Sequence, residues 1–214
     1  TGTRDIAIYS PQSLDLQILN NRIDTTLNGS PVSLALGGIS VNGGDNTLID
    51  GNIISNWAAG GGAELAGIIV SSAGAGVTIG DNNILTNSVV ANGILIYTLD
   101  NNVDTKGPVW IGSPQITLTG SSSVGITLIS DSGFSLTQVY IESPIISATY
   151  AGIRCLDAGG VLGLAIALLK IAGPVLSGFT NTGIIANLII TGRLEIGEPR
   201  LDMTAGGNGI NIDG

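Results

Sequence analysis

Apolar residues recur along this chain in one phrase, Ile-x-x-(Asn or Pro)-x-(Ile or Leu). Its copies run Ile18…Asn21…Ile23, Ile49…Asn52…Ile54, Ile79…Asn82…Ile84, Ile111…Pro114…Ile116, Ile141…Pro144…Ile146, Ile171…Pro174…Leu176 and Ile196…Pro199…Leu201. The leading Ile positions lie 25 to 32 residues apart. A second phrase, Gly-Ile followed by alternating residues, keeps step with the first at Gly38, Gly67, Gly93, Gly125, Gly152, Gly183 and Gly209. Asp5-Ile6-Ala7-Ile8 fits the same slot without its Gly. A sustained period of this size marks a solenoid, in which each unit buries its apolar face only by stacking on its neighbours.

Each repeat predicts three short strands. Strand A is the Gly-Ile segment, strand B ends on the first Ile of the opening phrase, and strand C begins on its last Ile or Leu. Period-2 alternation then gives every strand an inner and an outer set. Ile39, Ile68, Ile94, Ile126, Ile153, Ile184 and Ile210 form the expected inner column of strand A. No 3.6-residue stripe lasts, and turn signals recur every few residues, so a helical reading fails. At the B-to-C corner, Asn tolerates a left-handed backbone and bonds to neighbouring backbone. Asn21, Asn52 and Asn82 are therefore expected to stack into an amide ladder. Pro cannot take positive φ, so the corner geometry is expected to change between Asn82 and Pro114.

The Asn corners, Ile columns and Gly-Ile strands together resemble the right-handed parallel β-helix proteins, the superfamily of pectate-lyase-like enzymes and phage tailspikes. The fold class expected is all-β: a single-stranded right-handed parallel β-helix of about seven coils of three short strands. Residues 1–214 read as one β-helix domain. The chain begins without Met and ends on a strand-like segment, and so reads as a fragment of something longer. The Pro corners depart from the family's Asn ladder, and the catalytic Arg and metal-carboxylate motifs of pectate lyases find no match.

Composition narrows the chemistry. The chain has no His, which removes the commonest general base, the Ser-His-Asp triad and His-based metal sites. Only seven Lys and Arg are present against a net charge of −9, so no nucleic-acid partner is expected. The longest apolar run, Val161 to Leu169, is far short of a membrane span, and no membrane insertion is expected. Cys155 is the single cysteine and excludes an internal disulfide. Asp45, Asp50 and Asp81 sit in fragments that resemble Ca²⁺ loops, but no set of six to eight oxygens assembles from them. Turn chemistry accounts for them better, and neither metal nor cofactor is expected.

The outward columns carry the candidate sites. On strand A, Ile69, Leu95, Tyr97, Ile129, Leu156 and Ile185 make an apolar stripe that is unusual on a monomer. It either meets another chain or lies under a long loop such as Val161–Leu169. The resemblance to tailspikes implies the former, a homotrimer. On strand B, Gln17, Leu48, Thr78, Trp110, Tyr140, Lys170 and Glu195 line up. Trp110 and Tyr140 beside Lys170 suit a sugar platform, since aromatic faces give contact area and a polar neighbour orients. Loop packing or a subunit contact is the alternative. Strand C offers Asp24, Ser55, Leu85, Thr117, Ser147, Ser177 and Asp202, which reads as a solvated face. Asp100, Asp131 and Asp157 follow strand A in successive coils, at spacings that bracket those of glycosidase carboxylate pairs. Ordinary turn Asp is the alternative. Arg154 either binds an acidic sugar or pairs with Asp157.

The leading expectation is thus an extracellular β-helix module of a phage tailspike or tail fibre, part of the virion tail, that binds host surface polysaccharide. An endo-acting polysaccharide hydrolase or lyase on Asp100, Asp131 and Asp157 is one alternative. A secreted bacterial adhesin is another.

Overall fold

The computed structural model describes residues 5–24, 26–27, 30–31, 35–57, 66–71, 76–98, 107–130, 135–157, 165–187, 193–203 and 208–213. Three parallel sheets wind together into a β-solenoid, and all of its described elements are strands. Sheet A has eight strands: Asp5–Leu14, Ala35–Asp45, Ala66–Ser71, Asn92–Thr98, Val124–Ser130, Ala151–Asp157, Thr182–Asn187 and Asn208–Asp213. Sheet B has seven: Gln17–Leu19, Thr47–Asp50, Val77–Ile79, Val109–Ile111, Ser135–Glu142, Ala165–Ala172 and Arg193–Gly197. Sheet C also has seven: Arg22–Asp24, Ile53–Ser55, Ile84–Asn87, Gln115–Leu118, Ile145–Ala148, Val175–Ser177 and Arg200–Asp202. Consecutive strands belong to different sheets, so every strand pairs with its counterpart one coil away. A two-stranded antiparallel hairpin, Thr26–Leu27 with Ser30–Pro31, stands apart from them.

Like stacks on like. Ile39, Ile68, Ile94, Ile126, Ile153 and Ile184 are in register and fully buried, as the Gly-Ile phrase predicts. Beside them run Val41, Val70, Ile96, Leu128, Cys155 and Ala186, also buried. Burial pushes the Cys155 thiol up to about 12, because the thiolate loses its hydration there. The glycine preceding each inner Ile has a steric cause. A Cβ on Gly93 would lie 2.6 Å from Gly125 O and 2.7 Å from Ile116 Cγ2. The inner residue of sheet C packs onto that glycine, and any side chain would part the two sheets.

The B-to-C corner differs from expectation in two ways. The amide ladder runs through Asn21, Asn52 and Asn83, not Asn82. Asn21 donates from N and Nδ2 to Asn52 Oδ1, both at 3.0 Å. Asn52 donates likewise to Asn83 Oδ1 at 3.2 and 3.1 Å. Asn52 Nδ2 also reaches Ile18 O and Asn83 Nδ2 reaches Ile49 O, each at 2.9 Å. The third corner holds one residue more than its neighbours, and this shifts the strand that follows. Leu85, not Ile84, pairs with Ile54 and Ile116 and enters the core. Thr86 takes the outward place that the sequence pattern gave to Leu85.

The backbone conformation of the corner differs as well. Positive φ falls one residue earlier than the phrase suggests, at Asn20, Gly51, Ser143, Gly173 and Glu198. These precede Asn21, Asn52, Pro144, Pro174 and Pro199. Two corners with Asn and three with Pro therefore share a positive φ at this place. The third corner, Gly80 to Asn83, and the fourth, Gly112 to Pro114, have no positive φ. The corners on either side of the Asn-to-Pro switch differ in length, the third holding the extra residue. Asp50 Oδ1 accepts from Asn82 N, and Asp81 Oδ1 accepts from Ser113 N, both at 3.0 Å. Those two carboxylates staple neighbouring corners, as turn chemistry predicts.

Two outer faces also depart from their readings. On sheet A, Leu95 is 1% exposed and Ile129 8%, with Ala66 buried beside them and Ile69 and Leu156 half-buried against the cluster. The stripe is thus largely covered within one chain; the side chain of Tyr97 lies outside the described residues. Of Val161–Leu169, residues 161–164 lie outside the described set, and the rest belongs to sheet B, with Ile166 and Leu169 in the core. Sheet C is not a purely polar face. Its strands each have two outward positions flanking one inner residue. The second column is Asp24, Ser55, Thr86, Thr117, Ser147, Ser177 and Asp202. The first holds Ile53, Ile84, Gln115, Ile145 and Val175 between Arg22 and Arg200, with Ile53, Ile145 and Val175 exposed.

Two comparisons test this account by urea denaturation. Asn83→Ala should lower stability by about 2–3 kcal/mol, because it strands the Asn52 donors and Ile49 O, whereas Asn82→Ala should stay within about 0.5 kcal/mol. Equal effects would mean that the ladder does not run through Asn83. Gly93→Ala should cost about 1–3 kcal/mol through overpacking. Gly197→Ala, where a Cβ meets nothing within 4 Å, should be close to neutral.

Candidate carbohydrate platform on sheet B

The platform is built by strands whose inner residues fix its outer ones. Val109 and Ile111 are fully buried, so Trp110 between them must point outward. Val139 and Ile141 do the same for Tyr140, and Leu169 and Ile171 for Lys170. Parallel register then sets Thr78, Trp110, Tyr140, Lys170 and Glu195 on successive rungs, about 4.8 Å apart. The Trp110 and Tyr140 rings are stacked, with centroids 4.7 Å apart and planes inclined by 26°. Trp110 remains 40% exposed. Its pairing uses one face and leaves aromatic surface open to solvent.

Polar groups frame the pair. Tyr140 Oη donates to Gln138 Oε1 at 3.0 Å, two residues back on the same strand. Lys170 stands on the next rung and Thr78 on the rung before. Arg193 Nε meets Glu195 Oε1 at 2.7 Å on an exposed surface, a pair of small energetic value. The Gln138 contact was not anticipated. Its signal lay in the length of Ser135–Glu142, whose alternation places Gln138 and Tyr140 on one side.

The other candidates do not join this site. Asp100 and Asp131 lie outside the described residues. Asp157 ends the strand Ala151–Asp157 and its backbone pairs with Ser130; its side chain is outside the described set. Arg154 belongs to sheet A, between Thr127 and Ile185. Its Nε is buried without an acceptor, and desolvation lowers the guanidinium pKa, with the Tyr150 phenol acting in the opposite sense. It makes no ion pair among the described residues.

The chain is a parallel β-solenoid that carries an aromatic pair on one flank. No protein-family model, curated protein or solved structure matches it.

Proposed function

We propose that this chain is a glycan-binding β-solenoid module of an extracellular assembly, of the kind that forms the shafts of phage tailspikes and tail fibres. The observation that carries the reading is the stacked, partly exposed Trp110–Tyr140 pair with Lys170 on the adjoining rung. A sugar ring presents an apolar face of C–H groups and a rim of hydroxyls. The aromatic surface takes the first, and Lys170, Gln138 and Thr78 take the second. The platform is preorganised, because each ring is fixed by buried neighbours on its own strand, so binding orders few side chains. The tailspike setting rests on the family resemblance. No observation favours the depolymerase alternative, which turns on Asp100, Asp131 and Asp157.

The assembly that the resemblance implies is a homotrimer. Support for a self-contact comes from the sheet C column Ile53, Ile84, Ile145 and Val175 more than from the sheet A stripe, whose centre is already covered.

Titration with bacterial surface oligosaccharides, read by calorimetry, tests the platform. Trp110→Ala should weaken binding at least tenfold, in line with about 1–3 kcal/mol for a lost stacking surface, while the melting temperature barely moves. Unchanged affinity in the Trp110→Ala, Tyr140→Ala double variant would remove the platform from the site. Light scattering tests the assembly. The wild-type mass should be three times that of the chain, and Ile145→Glu should reduce it to one; a monomeric wild type sinks the trimer.

A further inference from the structure

Arg154 stands in surroundings that do not suit a cation. Its strand turns Ile153 and Cys155 into the core and Arg154 onto the outer surface of sheet A. On one side in register lies Thr127, fully buried, which donates to Asn92 Oδ1 at 2.6 Å. On the other side is Ile185. The apolar cluster of Leu95, Ile129 and Leu156 occupies the same outer surface. The residue as a whole is half-buried, its Nε is buried with no acceptor, and no acid pairs with it among the described residues. Arg193, by contrast, is well exposed and holds Glu195. The other rungs of the Arg154 column from Ser40 to Asn211 carry Ser40, Ile69, Leu95, Thr127, Ile185 and Asn211, all of them uncharged. A charge withdrawn from water without a partner opposes folding, so a neutral residue here would be favoured if stability were the only constraint.

We propose that Arg154 anchors an anion site on the outer face of sheet A, and that its ligand is the carboxylate of an acidic sugar. Nε is buried, so the ligand would meet the outer edge of the guanidinium, where the two Nη groups present parallel N–H donors that match a carboxylate. One guanidinium balances one negative charge. A doubly charged phosphate would leave excess negative charge on a chain whose net charge is already −9. Apolar neighbours keep water from the contact and strengthen it. The sugar assignment rests on the glycan-binding reading above, but the site is separate from the sheet B platform, and the two fail separately.

The test is the Arg Nε–H region of the ¹⁵N spectrum of the intact chain, with the Arg154 resonance assigned from its loss in Arg154→Gln. Sodium glucuronate should shift that resonance saturably, whereas glucose and sodium chloride at matched ionic strength should not. By calorimetry, Arg154→Lys should weaken glucuronate binding at least tenfold and Arg154→Gln should abolish it. Arg154→Gln should also melt higher than wild type, since it removes an unpaired half-buried charge. Trp110→Ala should leave glucuronate affinity within about twofold, because the platform is elsewhere. A resonance that does not move, or glucuronate binding that survives in Arg154→Gln, overturns the site. Loss of glucuronate binding in Trp110→Ala assigns the binding to the platform and overturns it too. An equal response to acetate overturns the sugar assignment.

Discussion

In-register stacking of one coil on the next is the interaction on which everything else in this molecule depends. A strand here has no partner within its own coil. Its backbone donors and acceptors are met only by the coils on either side, and its side chains are buried mainly by the same residue type one rung away. The last strand shows this by contrast. Ile210 and Ile212 continue inner columns, yet they are 40% and 52% exposed where the corresponding Ile184 and Ala186 are fully buried. The strand conformation is the same; what differs is a neighbour on one side.

Stacking also explains why corners are chemically conservative while the loops vary. An Asn corner must satisfy its own backbone N–H, and it does so through the side-chain oxygen of the Asn one coil on. Pro has no N–H to satisfy. Pro114, Pro144 and Pro174 are buried at the place where Asn52 and Asn83 are buried. Their carbonyls still accept from the following coil: Pro114 O from Ile145 N at 3.0 Å, Pro144 O from Val175 N at 2.9 Å, and Pro174 O from Arg200 N at 2.8 Å. The ladder thus ends where its need ends. Away from the two corners that flank the switch, the preceding residue supplies a positive φ before Asn and Pro alike. At Gly51 and Gly173 this carries no steric cost, while at Ser143 and Glu198 a side chain tolerates it.

The sequence made the period, the three strands per coil, the inner Ile columns and the Trp110–Tyr140 neighbourhood legible, because each depends on spacing alone. What it hid depends on register. Asn82 and Asn83 are adjacent and identical in type, so pattern alone could not say which one enters the ladder; only the length of the corner decides. The same one-residue shift exchanged Leu85 and Thr86 between core and surface. The apolar column on sheet C was missed because a three-residue strand has two outward positions, and only the second was read. The burial of Leu95 and Ile129 and the isolation of Arg154 are properties of surroundings, which no local pattern encodes.

This division bears on where function can reside. Inward columns are constrained by volume, by the glycine contacts and by the ladder, and a change there is felt along the stack. The outward column of sheet B is nearly free of that constraint, since Val109 and Ile111 hold their strand whatever residue stands between them. An aromatic pair at Trp110 and Tyr140 therefore needs an explanation other than stability, although stacking on each other adds a little. Arg154 needs one more strongly. At Trp110 the surface gains contact by exposing apolar area, which the fold tolerates. At Arg154 the fold withdraws a charge from water and gives it no counter-charge among the described residues, so the residue acts against the stability of the rung it occupies. A bound anion, as proposed, would offset that cost.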